Sequence, residues 1–231
     1  MKLYAMLCTS MLLTTLAAQA GTVSITTGTP SNSATSPATL NPSPNLGGLI
    51  INFDTADLEP PNTTCVSAPC PSLTIQGVTF SSPDGVQVIP FSTQSGPNEL
   101  FDVSPIGGAD LSITLTQGVG AIGVGIADSD FTNAGAPVAI TLEALGTGST
   151  ILNTFNVTIP ETGPNPGNGY FVISDTTPSL FGLNISTAGN SNNSDSGLAV
   201  DDVQVVPEPS SWMLLASGLA LLFGLRKFKR A

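Results

Sequence analysis

The residues best suited to chemistry in this 231-residue chain are its acids, which number 16 against five lysines and arginines. Two groups are close enough in sequence to share a ligand: Asp128 and Asp130 flank a serine, and Asp201 and Asp202 are adjacent. Calcium takes about six to eight oxygen ligands, which carboxylates and hydroxyls can supply. The four acids are therefore a candidate calcium site, and turn-forming aspartates that bind no metal are the alternative.

Most catalytic arrangements are excluded because the residue types that they need are missing. The sequence has no histidine, so a Ser-His-Asp or Cys-His nucleophile and a Cys/His zinc site cannot form. No lysine or arginine lies between Lys2 and Arg226, which removes cationic clamps for phosphate and Schiff-base amines. Two carboxylates suffice for a glycosidase, but no tryptophan precedes Trp212 to form an aromatic sugar platform. We expect no enzyme and no catalytic residue, with an acidic glycosidase as the third alternative.

The net charge of −11 limits the partners of the chain. Of the 16 acids, 15 lie between Asp54 and Asp202, a stretch without a single basic residue. Nucleic acid and anionic lipid are therefore excluded as electrostatic partners. Divalent cations, polar glycans and plain solvation remain.

Cys65 and Cys70 lie in a short loop rich in threonine and proline. Two such cysteines in an exported chain are expected to form a disulfide. The C-x-x-C spacing of a redox site is not met. The sequence therefore predicts a structural disulfide between them.

The elements that must position these residues are short strands. From Leu49 onward, β-branched and apolar runs alternate with glycine, proline, asparagine and aspartate, and no 3.6-residue period occurs before Trp212. The predicted strands are Leu49–Phe53, Leu73–Phe80, Val86–Phe91, Leu111–Thr116, Ala121–Ala127, Val138–Ala144, Ile151–Ile159, Tyr170–Ser174, Phe181–Ser186 and Leu198–Val206. We predict an all-β fold over residues 49–206, a β-sandwich of jelly-roll type, and name this part the ectodomain.

Two segments precede the ectodomain. Lys2, an apolar stretch and the Ala18-Gln19-Ala20 sequence predict a signal peptide over residues 1–20, with Ala18 and Ala20 as the cleavage determinants. A permanent N-terminal anchor is the alternative. Residues 21–48 are rich in serine, threonine and proline and bury too little apolar surface to fold, so we predict a linker. A short edge strand at its start is the alternative.

The last twenty-five residues, 207–231, combine a Pro-Glu-Pro sequence, an uncharged apolar run and a basic end. The run at 212–225 would span about 21 Å as a helix, less than the roughly 30 Å of a bilayer core. We therefore predict a transient transmembrane helix, with a helix buried in a soluble core as the alternative. Four basic residues follow the apolar run and should hold the carboxyl end of the helix in the cytoplasm. We name them the basic stop: Arg226, Lys227, Lys229 and Arg230.

This tail resembles the PEP-CTERM sorting signal of exopolysaccharide-producing Gram-negative bacteria. Pro207, Glu208 and Pro209 match the family motif one by one, followed by the short helix and the basic end. The same tail is also labelled the C-terminal domain of ice-binding proteins. The resemblance implies that exosortase, a membrane-embedded cysteine transpeptidase, is a partner that cuts near the motif and passes the protein on.

These features together predict a protein exported through the inner membrane to the cell surface or extracellular matrix. We expect a non-enzymatic, structural or adhesive role with exopolysaccharide. The main alternative is a carbohydrate-binding module with a defined glycan ligand. The distribution of five aromatic residues separates the two: Phe53, Phe80, Phe101, Phe131 and Tyr170. If they cluster on a concave face they favour the carbohydrate-binding module, and if they are scattered they favour the structural role.

Overall fold

The computed structural model describes nine parts of the chain: residues 21–27, 46, 48–53, 64–89, 98–103, 110–128, 138–159, 168–187 and 198–207. The predicted signal peptide, the apolar run at 212–225 and the basic stop lie outside these residues. Glu208, Pro209 and Asp130 also lie outside them.

Twelve strands make up nearly all of the described structure. They are β1 (Val23–Thr27), β2 (Leu49–Ile51), β3 (Cys70–Ile75), β4 (Val78–Ile89), β5 (Glu99–Asp102), β6 (Asp110–Val119), β7 (Ala121–Asp128), β8 (Val138–Leu145), β9 (Ile151–Ile159), β10 (Asn168–Asp175), β11 (Leu180–Thr187) and β12 (Leu198–Val206). One helical turn, α1 (Thr64–Ser67), precedes β3, and a 3-10 turn (Thr147–Ser149) joins β8 to β9.

The strands form one antiparallel sheet that folds back on itself. Their order is β1-β10-β7-β12-β5-β4-β6-β11-β8-β9, while β2 pairs with β12 and β3 with β4. The two ends of this path meet, because Asn153 Nδ2 on β9 donates a hydrogen bond of 3.2 Å to the carbonyl of Val23 on β1. The sheet is therefore nearly closed, and the fold is all-β and β-sandwich-like. The finer jelly-roll assignment stays a prediction.

Alternation along the strands places one face of the sheet in the core. In β6, Leu111 and Ile113 are fully buried, whereas Ser112 between them is half-buried on the outer face. Burying one such aliphatic side chain contributes about 1.5–3 kcal/mol. Deep in the core the rings of Phe53 and Phe80 pack edge to face, with centroids 5.2 Å apart and an interplanar angle of 70°.

One predicted strand, Leu73–Phe80, is wrong as a single element. It is split between β3 and β4, which are joined by a tight turn at Gln76 and Gly77. Both turn residues have positive φ, 50° and 84°, as a two-residue hairpin turn requires. The chain thus reverses where continuous apolar alternation indicated an extended strand.

Two strands lie outside those predicted from the sequence. β1 occupies the start of the predicted linker and pairs in register with β10, from Val23 opposite Asp175 to Thr27 opposite Phe171. The alternative of an edge strand at the start of residues 21–48 is therefore confirmed. The four-residue β5 pairs with both β4 and β12 and was not expected.

The predicted disulfide between Cys65 and Cys70 is confirmed, with Cα atoms 5.3 Å apart. Cys65 lies buried in α1 and Cys70 begins β3. The bond therefore ties the helical turn to the first strand of the β3–β4 hairpin.

Candidate functional site

A cleft of about 580 Å³ opens on the outer face of β4, β6, β8 and β11. Strands that are distant in sequence are neighbours here, because β11 pairs with both β6 and β8. The cleft is lined mostly by polar side chains: Ser81, Ser82, Pro83, Asp110, Leu111, Ser112, Glu143 and Asn184.

Cross-strand register aligns a line of polar residues through this cleft. Each member lies directly opposite the next on the neighbouring strand. We name this line the polar row, and in order from β3 to β9 it consists of Ser72, Ser81, Ser112, Asn184, Glu143 and Thr154.

Hydrogen bonds connect the middle of the polar row. Ser112 Oγ donates to Asn184 Oδ1 at 2.6 Å, and Asn184 Nδ2 donates to Glu143 Oε2 at 3.3 Å. The Asn184 amide is therefore held at both ends. Its second amide hydrogen and Oε1 of Glu143 make no hydrogen bond to other described residues, so both are available to a ligand.

Burial varies along the polar row in a way that indicates a trough. Ser81, Ser112, Asn184 and Glu143 are half-buried, while the outermost residues, at the β3 and β9 ends, are exposed. Neighbouring positions in these strands point inward to the apolar core. The row therefore follows a polar trough that overlies the apolar core.

A buried carboxylate supports one end of the cleft. Asp102 is fully buried and accepts a hydrogen bond of 2.5 Å from Ser82 Oγ and one of 2.9 Å from the Asp110 backbone N–H. Ser82 Oγ in turn accepts a bond of 3.3 Å from the Asp84 N–H. These two bonds join Asp102 of β5 to β4 and to the first residue of β6, so Asp102 holds the start of β6 at the cleft.

Of the acids predicted to bind calcium, Asp128, Asp201 and Asp202 lie on β7 and β12, and none of these three lines the cleft. Asp201 is buried on β12 opposite Gly125 of β7, whereas Asp128 lies opposite Leu198, three positions further along the pair. That offset is about 10 Å along the strands. Among the described residues no group of three or more acids, cysteines or histidines is placed to hold a metal ion. Calcium binding stays a prediction.

Asp201 and Asp202 instead belong to an irregularity in β12. The register with β7 shifts between Asp201 and Gln204, and Asp202 has a φ of 48°. Tyr170 Oη donates a hydrogen bond of 3.2 Å to the Asp202 carbonyl. Burial raises the pKa of Tyr170 above its ordinary value, and the charges of Asp202 and Asp201 raise it further. The phenol therefore stays a hydrogen-bond donor.

The aromatic residues form no platform at the cleft. Phe53, Phe80 and Tyr170 are buried, Phe101 is half-buried on β5, and Phe131 lies outside the described residues. Among the described residues, no aromatic side chain lines the cleft.

Sequence reasoning missed Ser112, Asn184, Glu143 and Asp110. The alternation in β6 indicated a polar outer face but not its partners. Ser112 and Asn184 are 72 residues apart, and Asn184 and Glu143 are 41 apart. Only knowledge of the β6–β11–β8 order could have joined them.

The part of the chain that the structure describes contains no helix with the length and apolar character needed to cross a membrane. Its last residue, Pro207, is exposed directly after β12. The β12 strand ends with the Val206 carbonyl accepting a hydrogen bond of 3.1 Å from the Gly120 N–H. The chain therefore leaves the sheet at Pro207 without an intervening linker.

An all-β, β-sandwich-like domain followed immediately by a Pro-Glu-Pro tail is the class that these features define. The model of the PEP-CTERM protein-sorting motif matches residues 205–230. The chain therefore carries a PEP-CTERM protein-sorting motif, as the resemblance predicted, and this motif indicates an exported protein that is sorted by an exosortase. No curated protein matches its sequence.

Several solved structures resemble the chain. The arabinose-bound α-L-arabinofuranosidase MgGH51 matches with a TM-score of 0.38 and 11% identity, over 55% of this chain and 23% of that one. The family 11 carbohydrate-binding module from Clostridium thermocellum, in complex with a mixed-linked tetrasaccharide, matches with a TM-score of 0.33 and 9% identity, over 58% of this chain and 91% of that one. TmCBM61, in complex with β-1,4-galactotriose, matches with a TM-score of 0.34 and 16% identity, over 58% of this chain and 90% of that one. The match thus spans under a quarter of the enzyme and about nine tenths of each module.

Proposed function

We propose that the protein is a non-enzymatic component of the cell surface or extracellular matrix, and that its ectodomain adheres to exopolysaccharide through the polar cleft. One observation carries this proposal. The sorting-motif match begins at residue 205, inside β12, so the signal and the folded sheet share residues. Processing near the motif would release an intact ectodomain.

The chemistry of the cleft supports a glycan partner. Serine, asparagine and carboxylate groups offer donors and acceptors for hydroxyl groups, and the cleft lies on a continuous sheet. Between Lys2 and Arg226 the chain has no basic residue that could attract phosphate or nucleic acid. A hydroxyl-rich polymer fits the remaining chemistry.

A non-enzymatic role fits the residue types. The cleft contains two carboxylates, Asp110 and Glu143, on strands separated by β11. Register places Glu143 opposite Asn184, and Asp110 two positions further along opposite Ser186. Their Cα atoms are therefore about 12 Å apart. No basic or aromatic residue accompanies them among the described residues that line the cleft.

A carbohydrate-binding module with one defined glycan is the second candidate. The observation that favours it is the fixed orientation of the Asn184 amide between Ser112 and Glu143. Fixed donors and acceptors can discriminate between sugars, because a mismatched hydroxyl leaves a polar group unpaired.

Localisation in a polymer-producing host tests the proposal. The full-length protein would be expressed in an exosortase-containing host and in its otherwise identical derivative that makes no exopolysaccharide. We expect the protein on the washed cell surface and in the matrix of the first host, and in the culture medium of the second. Immunoblots of the three fractions measure the distribution.

Assays on the same material separate the alternatives. An identical distribution in both hosts would contradict adhesion to exopolysaccharide. Release of reducing sugars from the host polymer by the purified protein would contradict the non-enzymatic role. Protein bearing Asp110→Asn and Glu143→Gln is the matched control, because it removes both carboxylates of the cleft.

A further inference from the structure

We propose that the polar row binds an extended, uncharged glycan whose long axis runs across the strands. This inference rests on the proposed function and specifies the ligand class and its direction. Three properties of the row carry it: its spacing, its fixed hydrogen-bonding groups and its charge.

The spacing of the row matches a chain-like ligand. Neighbouring strands lie about 4.8 Å apart, so the six residues of the row extend over about 24 Å. Each strand thus presents one polar side chain at a step comparable to the length of one sugar ring. A polymer lying parallel to the strands would instead contact only one residue of the row, because each strand contributes one.

The middle of the row is organised before any ligand arrives. Ser112 and Glu143 hold the Asn184 amide, so its second N–H and Oε1 of Glu143 keep fixed directions. Binding then requires little ordering of these side chains, which would otherwise reduce affinity. A sugar hydroxyl can accept from the Asn184 amide and donate to Glu143.

The charge of the row and of the chain selects against anionic polymers. Glu143 lies within the row, Asp110 lines the same cleft, and the described part of the cleft lining has no basic residue. At physiological ionic strength, charges interact over roughly 8 Å, which is longer than the distance between adjacent strands. A polyuronate laid along the row would therefore bring its carboxylates within range of Glu143.

Native affinity electrophoresis of the mature protein, solubilised in a non-ionic detergent, tests the inference. The neutral probes are galactomannan and mixed-linkage β-glucan, and the anionic probe is alginate. We expect at least one neutral probe to retard the protein and alginate to have no effect. Asn184→Ala should weaken binding of the neutral probe about 5- to 10-fold, as the loss of one or two hydrogen bonds predicts.

Thr158→Ala is the matched control variant. Thr158 is an exposed outer residue of β9 and lies outside the row. We expect less than a 2-fold effect. Because Asn184→Ala removes bonds within the fold, its thermal unfolding is measured alongside, and Ser112→Ala provides a second, smaller truncation with a 2- to 5-fold expected loss.

Charge and length give two further readouts. Glu143→Gln removes the charge and one of the two acceptor oxygens, so binding of the neutral probe should weaken about 2- to 5-fold while retardation by alginate increases. Neutral oligosaccharides should bind more tightly with length until they cover the row, and then reach a plateau.

Three results would overturn the inference: equal retardation by alginate and the neutral probes, equal effects of Asn184→Ala and Thr158→Ala, or no retardation by either neutral probe. Exopolysaccharide-dependent localisation in the host would then still support the proposed function. Conversely, binding of neutral probes without polymer-dependent localisation would contradict the proposed function while retaining the ligand class.

Discussion

Single buried polar side chains determine how firmly the cleft is held. Asp102 is the clearest case, because its two carboxylate oxygens accept from Ser82 and from the Asp110 backbone. A buried donor that loses its acceptor retains its full desolvation cost. Positions that never contact a ligand can therefore affect binding.

Replacing Asp102 by alanine should lower the free energy of unfolding by about 3 kcal/mol, since it removes the acceptor of a buried hydrogen bond from Ser82 and of a part-buried one from the Asp110 backbone. Urea denaturation of the mature protein measures it. Asp102→Asn is the matched control, because one oxygen acceptor remains, and it should cost about 1–2 kcal/mol. Equal stabilities for the alanine variant and wild type would contradict this role.

Tyr170 should make stability depend on alkaline pH. Its pKa in the folded state lies above the value of about 10 for an unfolded chain. The stabilisation is therefore fully present below pH 10 and declines above it, where only the unfolded chain loses the phenolic proton. We expect the melting temperature of wild type to fall more steeply above pH 10 than that of Tyr170→Phe.

Phenolate absorbance provides an independent check. The sequence has two tyrosines, and the other, Tyr4, lies in the predicted signal peptide. The mature chain should thus show one tyrosine, titrating only when the protein unfolds. A reversible titration near pH 10 in the folded protein would contradict the buried hydrogen bond to Asp202.

At the scale of elements, β1 is one of the strands that pair with a single neighbour. It pairs with β10 alone, and Ser24 Oγ lies 3.1 Å from Ser174 Oγ directly across the pair. We predict that Ser24→Cys combined with Ser174→Cys forms a disulfide, because opposed residues in an antiparallel pair lie within the Cα separation that a disulfide requires.

The bond should raise the free energy of unfolding by about 2–4 kcal/mol. Peptide mapping of the oxidised protein detects it, and Ser24→Cys alone is the control. Two alkylatable thiols in the double variant would show that residues 21–27 do not dock as a strand and that the linker prediction holds from residue 21.

The same scale explains what could be predicted from the sequence. Alternation identified β9 and β12 with their observed bounds, because each is one uninterrupted run between turn-forming residues. The β3–β4 reversal was missed because Gln76–Gly77 lacks the Asn-Gly or Asp-Gly pair that marks such turns. The polar row could not be predicted, because it depends on pairing between strands that are distant in sequence, and local periodicity carries no information about such pairing.

For the whole molecule, the sorting tail decides the destination. We predict that changing Pro207, Glu208 and Pro209 together to alanine leaves the protein in the inner membrane at a higher mass, because the recognition element is lost while the apolar run remains. Fractionation and immunoblotting in an exosortase-containing host measure this.

A matched variant, Glu208→Gln, keeps both prolines and the length of the tail. It separates the contribution of charge from that of the rigid backbone. If wild type and the triple variant both stay membrane-bound at full mass, the tail is a simple anchor and the predicted partnership with exosortase is wrong.

The central position of β12 has a consequence for the timing of export. Within the described residues, the pairings of β12 alone join β1-β10-β7 to β5-β4-β6-β11-β8-β9, and they also hold β2. A chain that crossed the membrane amino end first would therefore lack the strand pairing between these two parts of the sheet until residue 206 had crossed. The next residue is Pro207, so under the proposed sorting the recognition element would reach the outer surface as the two parts become able to pair. We predict that completion of the sheet and presentation to the transpeptidase are then nearly simultaneous, and that a chain truncated before β12 would have neither a complete sheet nor a sorting signal.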